Sequence, residues 1–123
     1  MKVTVKTAED HPCPVRGILS QVGDKWSVLV ILELAKQSPS RFSELKRAVR
    51  SISQRMLTET LRDLERNGAV TRTLYPTIPP KVEYALTSLG VSLVKPIRAL
   101  VTWAEDHRTE ITVARNAFDS RRP

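Results

Sequence analysis

Apolar positions along this chain keep two rhythms. From Val15 to Gly68 they recur at the three-and-four spacing of helices. From Val70 to Leu86 they alternate, as in strands, and from Ser88 the helical spacing returns. Val15, Ile18, Leu19 and Val22 space as a short amphipathic helix, with Pro14 suited to its first turn and Gly23 as its stop. Asp24 can cap the next helix, Lys25 to Lys36. Trp26, Val28, Leu29, Val30, Ile31, Leu32, Leu34 and Ala35 make that helix apolar nearly all round, so it belongs at the centre of a core. Ser38-Pro39-Ser40 ends it. Arg41-Phe42 reads as a short strand. Ser43 reads as the cap of a third helix, Glu44 to Val49, with Leu45, Ala48 and Val49 inward.

Arg50-Ser51-Ile52 then turns the chain into a helix opened by Ser53 and closed by Asn67-Gly68. Leu57, Leu61 and Leu64 fall on one side of it. Arg55, Arg62 and Arg66 fall near the opposite side, flanked by Gln54 and Thr58. Two short helices joined by a tight turn, the second with an exposed polar face, make a helix-turn-helix. The alternating runs around Val70–Tyr75 and Val82–Leu86, joined by Pro76-Thr-Ile-Pro-Pro80, predict a β-hairpin directly after it. The predicted fold is mainly α with a small β-hairpin, a winged helix-turn-helix. Lys81 lies near the tip of the wing and Arg72 at its base.

Thr87 can cap a last helix. Leu89, Leu93, Ile97, Leu100, Ala104, His107 and Ile111 form its stripe, which Val94, Val101 and Trp103 widen. Pro96 lacks an N–H and should bend it. The helix is long for the core it could cover. Val15, Ile18, Leu19, Leu93, Ile97, Leu100, Trp103 and Ala104 are therefore candidates for a dimer interface built from the N- and C-terminal helices. The alternative is that this helix only covers its own domain. Residues 1–12 read as a flexible arm, 13–111 as one domain and 112–123 as a tail that frays from about Ala114.

Charge sharpens this picture. The 123 residues carry a net +7. Residues 36–81 hold ten basic groups against four acidic ones, while 1–35 balance. An excess packed into the segment that contains the polar-faced helix points to a polyanion partner; the plainer reading is a solvated surface. A helix docked by leucines that presents Arg, Gln and Thr outward suits a DNA major groove. Arg55 and Arg62 can pair with guanine or only with phosphate. Gln54 can read adenine or support the helix start, and Thr58 can touch a thymine methyl or a phosphate. Ser53 is foremost a cap, and Glu59 should pair with Arg55 or Arg62. Arg72 and Lys81 in the wing, and Lys46 and Arg47 in the preceding helix, are candidate backbone contacts.

Other chemistry finds little support. One cysteine and two histidines, His11 and His107, offer no metal-ligand spacing. Asp63 and Glu65 stand two apart on a helix and do not face each other. No phosphate loop or nucleophile motif appears, so neither an enzyme nor a cofactor is expected. No apolar run reaches the roughly 18–20 residues of a membrane span, and no signal peptide opens the chain, which suggests the cytoplasm. Trp26, Tyr84 and Trp103 read as core or interface residues. Their second reading is the lining of a small-ligand pocket between the last helix and the central one. A non-specific architectural nucleic-acid binder and a winged helix that binds an acidic protein are the rival functions.

Several stretches together resemble the HxlR-type winged helix-turn-helix regulators, a group related to MarR-type proteins. They are CPVRGILSQVGDKW from Cys13, RFSELKRAV from Arg41, ISQRMLTETLRDLERNGAVTRTLYPTIPPKVEYALTSLG from Ile52, and the Leu93-to-Trp103 segment. The resemblance implies a homodimer on a palindromic operator, with the helix from Ser53 as recognition helix and Arg72–Leu86 as wing. Some members sense oxidants or electrophiles through a cysteine at the Cys13 position. Here Cys13 precedes a helix start, where the dipole favours thiolate, yet a lone cysteine needs a second thiol from elsewhere or a sulfenic acid. Two turns depart from the family pattern. Asp24 stands where a second Gly is common, and Arg50-Ser51 replaces a common Pro-Gly.

Overall fold

A computed structural model describes residues 15–121. The expected arm, Cys13, His11, the Val15 side chain and the last two residues lie outside that description. A π-helical turn, Val15–Leu19, runs straight into α1, Ser20–Val22. Gly23 then separates it from α2, Lys25–Lys36. Asp24 caps α2 as expected: its Oδ1 accepts from the Trp26 and Ser27 amides at 2.9 and 3.0 Å. Next come α3, Phe42–Ala48, and α4, Gln54–Arg66. The hairpin β1, Val70–Tyr75, and β2, Lys81–Leu86, precedes α5, Ser88–Asp106, and α6, Arg108–Arg121.

Helix α2 is the central post. Val30, Ile31 and Leu34 are fully buried on it, and α3, α4, α5 and β2 all pack around it. The core continues through Leu45, Val49, Ile52, Leu57, Leu61, Leu64, Ala69, Val70 and Ile97. Not every flank of α2 is covered, since Leu29 stays exposed. The hairpin pairs antiparallel, Val70 against Leu86 and Tyr75 against Lys81. Beyond it, Ser40 forms one bridge to Tyr84, with both amide-to-carbonyl bonds at 2.8 Å.

That bridge corrects the reading of Arg41-Phe42 as a strand. The strand-like residue is Ser40, and Phe42 already begins α3. Ser43 is therefore inside the helix rather than its cap. The start is held instead by Glu44, whose Oε1 accepts from the Arg41 amide at 2.8 Å. Ala48 is exposed: Leu45 and the C-capping Val49 are buried and Phe42 packs against the core, while Ala48 faces away.

The C-terminal reading also changes. Helix α5 starts on Thr87, whose Oγ1 accepts from the Gly90 amide at 3.1 Å, as expected. It runs through Pro96, and the interruption falls at His107, where φ is −108° and ψ 12°. The stripe expected on one helix is thus shared by two. Nor does the chain fray from Ala114, since α6 continues to Arg121. Among the described residues α6 buries none.

Candidate nucleic-acid interface

Three local devices fix α4. At its start the Ser53 hydroxyl accepts from the Met56 amide at 3.0 Å. At its end Gly68 takes φ +80°, and the amides of Gly68 and Ala69 return to the carbonyls of Glu65 and Leu64 at 3.0 and 2.9 Å. That pair of bonds satisfies carbonyls the helix would leave open. Along its length Leu57, Leu61 and Leu64 are buried, together with Thr60. The burial of Thr60 could have been read from its place beside Leu57, Leu61 and Leu64 on the wheel.

The other flank of α4 is open. Gln54, Arg55, Thr58, Glu59, Arg62 and Arg66 are all exposed. The surface bounded by Glu59, Arg62, Asp63, Glu65 and Arg66 belongs to this one helix. Arg55 Nε donates to Glu59 Oε2 at 3.2 Å, so Glu59 finds its expected intrahelical partner. Arg62 makes no ion pair or hydrogen bond among the described residues. Thr58 donates its hydroxyl to the Gln54 carbonyl at 2.9 Å, which leaves the oxygen's remaining lone pair and the methyl group for a ligand.

The structure places the remaining basic candidates unequally. Lys46 and Arg47 are exposed on α3, just before the turn. Arg72 is exposed on β1, opposite Tyr84, mid-strand rather than at the base. Lys81 closes the hairpin rather than projecting from it. It is half-buried, 3.7 Å from Glu83 Oε2 and 4.7 Å from the Tyr75 ring centre.

The turn before α4 explains one departure noted in the sequence. Ser51 takes φ +70°, the left-handed region where glycine is at ease. Behind α4, Asn67 Nδ2 donates to Gln21 Oε1 at 2.8 Å, and Ser27 Oγ donates to the Gln21 carbonyl at 2.8 Å. Gln21 thereby ties the N-terminal helix to both α2 and α4. Nothing in the apolar periodicity marks that tie, because it joins residues far apart in sequence through polar side chains.

The candidate dimer residues divide in the same way. Ile18, Leu19, Leu100 and Trp103 are exposed, at 62, 49, 64 and 52%. Ala104 is exposed beside them. Ile97 is not available to a partner: it is 7% exposed and belongs to the protomer's own core, and Leu93 packs against that core. Among the rings, Trp26 and Tyr84 pack on the core, and Trp103 stacks on His107 at 4.7 Å. Packing on the core is what the sequence leads one to expect first for Trp26 and Tyr84. None of the three lines the two clefts described between α2 and α5, so the second reading, a pocket lining, finds no support in those clefts.

A buried-stripe helix with an open basic flank, a tight turn before it and a hairpin after it define a winged helix-turn-helix DNA-binding transcriptional regulator. Residues 21–112 match the HxlR-like helix-turn-helix family, and the chain belongs to that family. An HTH-type transcriptional regulator of Methanothermobacter thermautotrophicus is 42% identical over 97 residues, 79% of this chain and 73% of the relative. The solved transcriptional regulator ytfH of Salmonella typhimurium superposes with a TM-score of 0.76 at 36% identity, covering 85% of this chain and 93% of that one. The redox regulator HypR in its reduced form does so with a TM-score of 0.74 at 38% identity, covering 82% and 99%. No described helix is long and apolar enough to cross a membrane.

Proposed function

We infer that the chain acts as a homodimer on a palindromic operator, each subunit laying Gln54–Arg66 in a major groove. The observation that carries this is the free outward flank of α4. Its leucines are spent on the core while Arg62, Gln54 and Thr58 face outward. Arg62 is the foremost base contact, because Arg55 already shares its charge with Glu59. Ser53 and Arg55 accompany it on the groove. Lys46, Arg47 and Arg72 contact flanking phosphates, and Lys81 contributes mainly by closing the wing. Exposed Ile18, Leu19, Leu100 and Trp103 supply the apolar surface of the dimer. Two half-sites would then lie about 34–36 Å apart, one turn of DNA. Arg62→Ala should weaken operator binding by roughly 1–3 kcal/mol while changing random-duplex binding much less. Equal losses on both duplexes at one salt concentration would reject base reading by Arg62.

Control by oxidation is a second reading, favoured by the likeness to a redox regulator and by Cys13, the one cysteine in the chain. Its oxidation would proceed to a sulfenic acid, or to a mixed disulfide with a small thiol or the other subunit's Cys13. Peroxide or diamide should then release the wild-type protein from its operator and leave Cys13→Ser bound. Release of both proteins alike in a gel-shift would remove Cys13 from the mechanism.

A further inference from the structure

Residues of α2, β2 and α5 enclose a cleft of about 300 Å³. Its apolar walls are Leu34 and Ala35 of α2, Leu86 of β2, and Val91 and Val94 of α5. Its polar members are Ser38 and Arg98. That volume sits at the small end of the range of about 300–1,000 Å³ usual for small-molecule sites. The pattern is also theirs: apolar walls with a few polar groups that fix orientation.

Arg98 gives the cleft its charge. It makes no ion pair or hydrogen bond among the described residues. The Ser38 hydroxyl accepts from the Leu86 amide at 3.2 Å, which leaves its proton free to donate. Both polar groups therefore suit an anion. The second cleft that Arg98 borders is different, because Glu33 and Glu105 also line it. Lys36, in that second cleft, is already 3.4 Å from Glu33. There two carboxylates offset the two cations, whereas the cleft beside Ser38 sets Arg98 against no carboxylate. The walls of the first cleft are aliphatic throughout, so a flexible chain fills them better than a flat ring.

We propose that this cleft is an effector site for a short aliphatic monocarboxylate. Arg98 pairs with the carboxylate, Ser38 donates to it, and the chain lies against Leu34, Leu86 and Val94. The position links the ligand to DNA, given the reading of α4 as the DNA-contacting helix. Leu86 pairs with Val70, the second residue after the Gly68 turn that ends α4, and α4 also packs on α2. An occupant therefore bears at once on α2, the wing and α5.

Calorimetry with n-hexanoate tests the site on the full chain. Hexanoate should bind saturably with Kd at or below about 1 mM. Butyrate should bind roughly tenfold more weakly, each buried methylene being worth up to about fourfold. Hexanamide, which lacks the charge, should bind at least about tenfold more weakly, and Arg98→Gln should lose hexanoate to the same degree. Ala35→Leu, which fills the cleft, should lose hexanoate and still bind operator. Hexanoate should also shift operator affinity in the wild type and not in Arg98→Gln. No saturation by about 10 mM, equal binding of hexanamide, or an unaffected Arg98→Gln protein would overturn the site. Binding with no shift in operator affinity would overturn its role as an effector site. Operator binding by the ligand-free protein is measured separately, so failure of the hexanoate arm leaves the DNA-binding reading intact.

Discussion

Arg55 and Arg62 share the outward flank of α4, yet their surroundings make them unequal. Arg55 is held by Glu59 one turn along, and Arg62 has no such partner among the described residues. The sequence makes both arginines candidates and foresees the pairing, but only the side-chain geometry says which arginine it takes. Ser51 shows the same limit from the other side. Its left-handed backbone, φ +70°, carries a cost of about 1–2 kcal/mol for a residue with a side chain. Glycine would relieve that cost and return part of it as unfolded-state entropy. Ser51→Gly should therefore stabilise the fold by up to about 1 kcal/mol, seen as a higher urea midpoint with an unchanged m-value. A lower midpoint would show that Ser51 earns its place through some contact of its own.

Among the elements, α4 and α5 are legible because their caps and stripes agree. Ser53, Asn67-Gly68 and Thr87 all act where propensity puts them. Helix α3 starts two residues before the position its Ser43 suggests, since a Glu that reaches back to an amide can begin a helix where no Ser or Thr caps it. The join between hairpin and α5 is tighter than any sequence pattern suggests. Thr87 donates to the Gly68 carbonyl at 2.5 Å, and its amide donates to Ala69 at 3.0 Å. A Cβ on Gly90 would overlap the Ala69 carbonyl oxygen and crowd Leu86. Gly90→Ala should cost about 1–3 kcal/mol as α5 is pushed off the base of the wing. Thermal unfolding checks this, and an unshifted Tm would mean that α5 can move aside freely.

At the scale of the molecule, the question is what covers the apolar surface that the protomer leaves out. Trp103 and Leu100 are exposed on α5, and Val113 and Phe118 on α6. On the proposed dimer, Trp103→Glu should give a monomer at micromolar concentration where the wild type sediments as a dimer, read by sedimentation velocity, without unfolding the chain. It should also weaken operator binding, because two half-sites no longer bind as one unit. A variant that still sediments as a dimer would move the interface elsewhere. The sequence alone determined the order of elements, the leucine anchor of α4 and the concentration of positive charge around it. These are local properties, set by periodicity, capping and composition within a few turns of chain. The tertiary structure decided the rest: that Ile97 serves the core while Leu100 does not, that Gln21 braces Asn67, that α6 is a helix, and that Arg98 overlooks an aliphatic cleft. Each depends on which faces of distant segments meet, and a one-dimensional pattern of polar and apolar residues holds no record of that.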